Sequence, residues 1–165
     1  MTRTRISWRL CQRCKRTQRL LTARGETASA LTILQDLART APTPDLYARI
    51  GDLLAKLGRH DEADRQFALA EAAWRVDAPE PKNLARFLAD HNRKIDEAVT
   101  IAERAAAERH DIFTEDALAW SYFKAGRRAD ARRAIAQALR TGTKDADILA
   151  HAQAIEQPGA QALAR

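Results

Sequence analysis

Asp45-Leu46-Tyr47-Ala48-Arg49-Ile50-Gly51-Asp52-Leu53-Leu54-Ala55-Lys56-Leu57-Gly58, followed after two residues by Asp61-Glu62-Ala63-Asp64-Arg65-Gln66-Phe67-Ala68-Leu69-Ala70, reads as two helices and the turn between them. Tyr47, Ile50 and Leu54 recur at the spacing of one helical face. Gly58 ends that face because the residue after a helix often turns left-handed, which costs glycine nothing. Asp61 and Glu62 then sit in the first turn of the next helix, where the helix dipole favours negative charge. The small Ala63 lets the two helices approach closely.

The same turn returns along the chain. Gly25, Gly58, Asn92, Gly126 and Gly159 are separated by 33, 34, 34 and 33 residues. A second series, Ala30, Ala63, Ala98, Ala131 and Ala164, steps by 33, 35, 33 and 33. The extra residue falls in the loop Arg93-Lys94-Ile95-Asp96, where an insertion disturbs least. Further first helices are expected around Leu84, Phe87 and Leu88 and over 116–125, and further second helices over 96–107 and 130–139. A hairpin of this size leaves one face uncovered, and the next hairpin buries it.

These residues resemble the tetratricopeptide-repeat (TPR) family. The unit 44–77 carries the family's small-and-large pattern at Tyr47, Ile50, Gly51, Leu54, Gly58, Ala63, Phe67 and Ala70. Units 78–111 and 112–144 follow through Leu84, Ala85, Leu88, Ala98, Ala102 and Ala105, and through Leu118, Ala119, Tyr122, Gly126, Ala131, Ile135 and Ala138. Pro42, Pro44, Pro79 and Pro81 approximate its closing-loop proline. The resemblance, best to bacterial TPR proteins, implies an all-α fold, a right-handed α-solenoid of about four antiparallel helical hairpins. The array covers 25–159, residues 1–24 form a basic segment with a degenerate first helix, and 145–165 form a truncated or capping repeat.

The resemblance also implies a function: a scaffold or adaptor that binds a peptide or helix of a protein partner in a concave groove lined by the first helices. That role falls on Asp45, Arg49, Asp52 and Lys56, on Lys82, Arg86 and Asp90, and on Phe113, Asp116, Trp120, Phe123 and Lys124. For Trp120 and Phe123, simple packing between helices is an equal reading. Asp52 stands where the chaperone-tail-binding subgroup has an amide, so capture of a C-terminal carboxylate is not implied.

Charge is uneven. Residues 1–24 hold eight bases and no acid, whereas the rest of the chain holds 20 bases and 22 acids. The pI of about 9.8 therefore belongs to the N-terminal segment. That segment reads as a solvated helix capping the array, as a phosphate-binding segment for nucleic acid or an acidic membrane through Arg5, Arg9, Arg13, Lys15 and Arg16, or as an organelle-import leader. A third functional reading is self-association through the apolar edge of the truncated last hairpin.

Catalytic signals are missing. The chain has no P-loop, no G-x-G-x-x-G, no H-E-x-x-H and no G-x-S-x-G. Cys11 and Cys14 form a lone C-x-x-C without the second ligand pair of a zinc site. They read as incidental thiols in a reducing, cytoplasmic setting, with redox-sensitive thiols, metal binding across two chains and a catalytic thiol as the open alternatives. No cofactor, metal or small-molecule substrate is expected, and no apolar run reaches the roughly 18 residues of a membrane span.

Overall fold

The computed structural model describes residues 27–76 and 80–157. All regular structure among them is α-helical: α1 (Thr27–Thr40), α2 (Pro44–Lys56), α3 (His60–Val76), α4 (Pro81–Asp90), α5 (Ile95–Glu108), α6 (Ile112–Lys124), α7 (Arg128–Leu139) and α8 (Ala146–Glu156). The chain divides into two compact units, Met1–Asp77 and Ala78–Arg165. Among the described residues no helix is long and apolar enough to cross a membrane.

Three of the expected turns are present with a common geometry. Gly58, Asn92 and Gly126 have φ of 75°, 54° and 78°. In each, the next residue's N–H donates to a carbonyl five residues back: Arg59 to Leu54 at 2.9 Å, Arg93 to Leu88 at 2.8 Å and Arg127 to Tyr122 at 2.9 Å. This is the Schellman closure, which satisfies carbonyls the helix end leaves open. The inserted residue also shows itself. Lys94, just before α5, takes a left-handed φ of 44°, so the extra residue is absorbed in the loop. Gly25, Gly159, Ala164 and the N-terminal helix expected over 5–23 lie outside the described residues.

The first helices begin in a second common way. Pro44 and Pro81 occupy first-turn positions, where the missing N–H costs nothing. Thr43, Asp111 and Asp145 cap α2, α6 and α8 by accepting backbone N–H bonds. The last helix stops at Glu156.

In the N-terminal unit α1 packs on α2, and α2 and α3 form a hairpin. Leu31, Leu34, Leu46, Ile50, Leu53, Leu54, Phe67 and Trp74 are buried there. Gly51 faces the Phe67 ring so closely that a Cβ on Gly51 would enter the ring's van der Waals envelope. In the C-terminal unit, α4 with α5 and α6 with α7 form hairpins, α4 touches α6, and α6 touches α8. Ala85 and Ala119 stand 34 and 68 residues after Gly51 and are fully buried. Ala98, Ala131 and Ala138 are equally buried. Ala119, Ala131 and Ala138 close a continuous core with Phe123, Ile135, Ile148 and Ile155. Arg128 of α7 donates to the Ile155 carbonyl at 2.9 Å, which ties α8 to the last hairpin.

Gly51→Ala separates two effects. Helix propensity alone favours alanine by about 1 kcal/mol, while overpacking a core costs about 1–3 kcal/mol. Because the neighbour is a buried ring, we expect net destabilisation of about 1–2 kcal/mol by urea unfolding. A stabilised variant would show that α2 and α3 do not meet at Gly51.

Candidate functional site

Within the C-terminal unit, α4, α6 and α8 present a chain of polar and aromatic side chains to one another. Its centre is Asp116 on α6, which has no solvent exposure. A buried carboxylate is costly unless neighbours neutralise and bond it. His151 Nδ1–H on α8 donates to Asp116 Oδ1 at 2.9 Å. Asp116 Oδ2 has no hydrogen bond, and the Arg86 guanidinium of α4 lies 3.8 Å from it. One acid on the middle helix is thus held by groups from both flanking helices.

Arg86 is shared further. Asp90, one turn on, lies 3.7 Å from its Nε, and Asp147 in the first turn of α8 lies 3.3 Å from its Nη2. Burial pushes the Asp90 carboxyl above its ordinary value, against the opposing pull of Arg86, His151 and His91. Trp120, one turn along α6 from Asp116, stacks on His151 with ring centres 4.1 Å apart and planes 13° apart. Phe123 stacks on its indole at 5.2 Å, and the Lys124 ammonium lies 5.1 Å from it, within cation–π range.

The groove residues expected from the sequence fall into separate groups. Arg86, Trp120 and Lys124 are partly exposed and come together around Asp116 and His151. Asp116 is not a surface residue: it is the buried acid that organises the cluster. Phe123, 5% exposed, belongs to the α6–α7–α8 core, so the packing reading holds for it. Lys82 is 12% exposed and lies 3.1 Å from Glu80 and 3.5 Å from Asp111, so its ammonium serves local structure. Phe113 is half-exposed. Arg49, Asp52 and Lys56 lie on α2 of the other unit, Arg49 and Asp52 partly buried and engaged, Lys56 exposed. The phosphate-contact candidates Arg5, Arg9, Arg13, Lys15 and Arg16, and the thiols Cys11 and Cys14, lie outside the described residues.

His151 and Asp147 were not singled out by the sequence reading. Their signal was the four-residue spacing on the helix after Gly142, which puts both on one face of α8.

An Asp–His pair is also the orienting half of a catalytic triad. Among the described residues no hydroxyl is hydrogen-bonded to His151, and no group of His, Cys, Asp and Glu is arranged to hold a metal. Elsewhere, an open cavity of about 250 Å³ lies over α6 and α7, lined by Glu115, Leu118, Tyr122, Asp130 and Arg133. Beside it the Tyr122 hydroxyl donates to Glu103 at 2.9 Å, and Arg127 lies 4.2 Å from the Tyr122 ring. Compared with known proteins, the chain matches no family model, no curated protein and no solved structure.

Asp111 supports the site from below, capping α6 through the N–H groups of Phe113 and Thr114, both at 3.0 Å. Desolvation raises its pKa, but the Thr114 N–H, Lys82, the Phe113 N–H and Arg109 together outweigh it and hold the carboxyl below its ordinary value. A depressed folded-state pKa contributes stability above the unfolded pKa and loses it as pH falls through the folded one. Asp111→Ala should therefore cost about 1 kcal/mol at neutral pH. The gap between variant and wild type should close as pH falls below about 4. A gap that persists unchanged in acid would show that the carboxylate charge plays no part.

Proposed function

We propose that this chain is a TPR-like helical-repeat module that binds another protein, without catalysis, on the face of the C-terminal unit formed by α4, α6 and α8. The recurrence of one turn geometry at 58, 92 and 126, with buried small residues in register, supports the repeat reading. On this reading the hairpins stack as a solenoid of about four units. The observation that carries the functional reading is the cluster Arg86–Asp116–His151–Trp120. It holds an arginine and a tryptophan, the commonest interface anchors, partly exposed on a rigid helical base. Burial of a partner segment against this preformed face would need little reorganisation, which lowers the entropic cost of binding.

The second reading, phosphate binding through residues 1–24, is favoured by the charge asymmetry alone. Salt separates the two, because phosphate contacts release counterions and weaken steeply as salt rises.

The test is affinity capture with three forms of the chain. Wild type and a form lacking residues 1–24 should retain the same partner at elevated salt. Arg86→Ala, with helical circular dichroism and monomer mass unchanged, should lose it by at least about tenfold, the scale of one hot-spot side chain. Retention by Arg86→Ala together with loss on deletion of 1–24 would move the function to the basic segment.

A further inference from the structure

The alanine series fixes which positions of its helices face water. Counted from Ala30, Ala63, Ala98 and Ala131, the residues six and nine places on are exposed each time. On α1 they are Asp36 and Arg39, on α5 Arg104 and Ala107, and on and just after α7 Gln137 and Arg140. Each of these pairs holds a charge, as a solvated face allows. On α3 the pair is Leu69 and Ala72. Ala68 and Val76 stand on the same face at helical spacing, so the outer surface of α3 is apolar over its C-terminal half. Leu69 keeps 48% and Val76 89% of its surface in water.

The N-terminal unit does not need this face. Ala63, Phe67, Ala70 and Trp74, on the opposite side of α3, already bury the helix there. A leucine and a valine left in water beside two alanines add nothing to folding. Neighbouring exposed apolar side chains of this kind mark a contact surface.

The face is complementary to itself. A two-fold axis through the midpoint between Ala68 and Leu69 would set two copies of α3 antiparallel. Each helix then supplies Leu69 as a knob, and the small Ala68 and Ala72 as the hole that receives one. The charges suit the same arrangement. The first turn of α3 holds Asp61 and Glu62, and its last turn holds Arg75. Asp61 and Arg75 lie about 11 Å and about 10 Å from that midpoint at 1.5 Å per residue, so Asp61 of one copy comes level with Arg75 of the other. Arg75 bonds Glu71 of its own helix at 2.8 Å, and 39% of its side chain stays exposed toward a second acid. Arg65, at the acidic end, stands beside Glu62. Antiparallel helix dipoles add to the fit.

We propose that α3 docks a second copy of this chain, as an antiparallel helix pair closed by Ala68, Leu69, Ala72 and Val76. This surface lies in the other unit from the α4–α6–α8 face and does not rest on the reading of that face. One helix pair is a small interface, so the dimer forms only as concentration rises.

The test is sedimentation equilibrium of the full chain. Wild type should pass from monomer toward dimer mass between about 1 μM and about 1 mM. Leu69→Glu, which spares the buried side of α3, should weaken the dimer at least about tenfold with helical circular dichroism unchanged. Gln137→Glu, at the same place in the series on α7, should leave it intact. Asp61→Arg, which sets two cations against each other in the antiparallel pair, should also weaken it. Equal dimerisation by Leu69→Glu and wild type would overturn the proposal, and so would equal loss in Gln137→Glu and Leu69→Glu. An Asp61→Arg chain that dimerises like wild type would overturn the antiparallel arrangement. A wild type that stays monomeric throughout would reject the second copy. A protein captured by wild type and lost in Leu69→Glu would then give the face to another partner.

Discussion

A carboxylate with no access to water sets the terms for the C-terminal unit. Asp116 survives in its place because α4 brings a guanidinium to one side and α8 an imidazole to the other. Neither flanking helix can move off without leaving that charge uncompensated, a loss that in buried pairs reaches about 3–5 kcal/mol. The apolar core of Phe123, Ile135, Ile148 and Ile155 supplies cohesion but little direction. The polar node adds direction, because hydrogen-bond and ion-pair geometry specify one arrangement of three helices. Trp120, stacked on His151, is positioned by the same node. Structural demand and exposed binding surface therefore meet in a few residues.

The helices and the turns between them were largely legible in the sequence because their signals are local. A left-handed turn needs glycine or asparagine, and Gly58, Asn92 and Gly126 stand where φ is positive. Close helix approach needs a small side chain, and Ala63, Ala98 and Ala131 are buried where the alanine series puts them. Even the 35-residue step has a visible cause in the left-handed Lys94. Gly142, with φ of 68°, marks a further turn after α7 that the series did not include.

The site was legible only in part, because its chemistry depends on contacts between distant residues. The family resemblance assigned Arg86, Asp116 and Trp120 to first-helix faces, but a repeat pattern cannot tell a solvent-facing acid from one covered by two neighbouring helices. Phe123 and Lys124 are adjacent in sequence, yet one is core and the other lies over the indole at the edge. His151 lies 35 residues from Asp116, and nothing local to either marks the pair.

The most direct measurement of the central claim is a double-mutant cycle between Asp116→Asn and His151→Gln, read as unfolding free energies at neutral pH. If Asp116 ties α6 to α8 through His151, each single substitution destabilises, and the double falls short of their sum by about 1 kcal/mol or more. Additivity within about 0.5 kcal/mol would show that the two side chains do not act together, and would contradict the account.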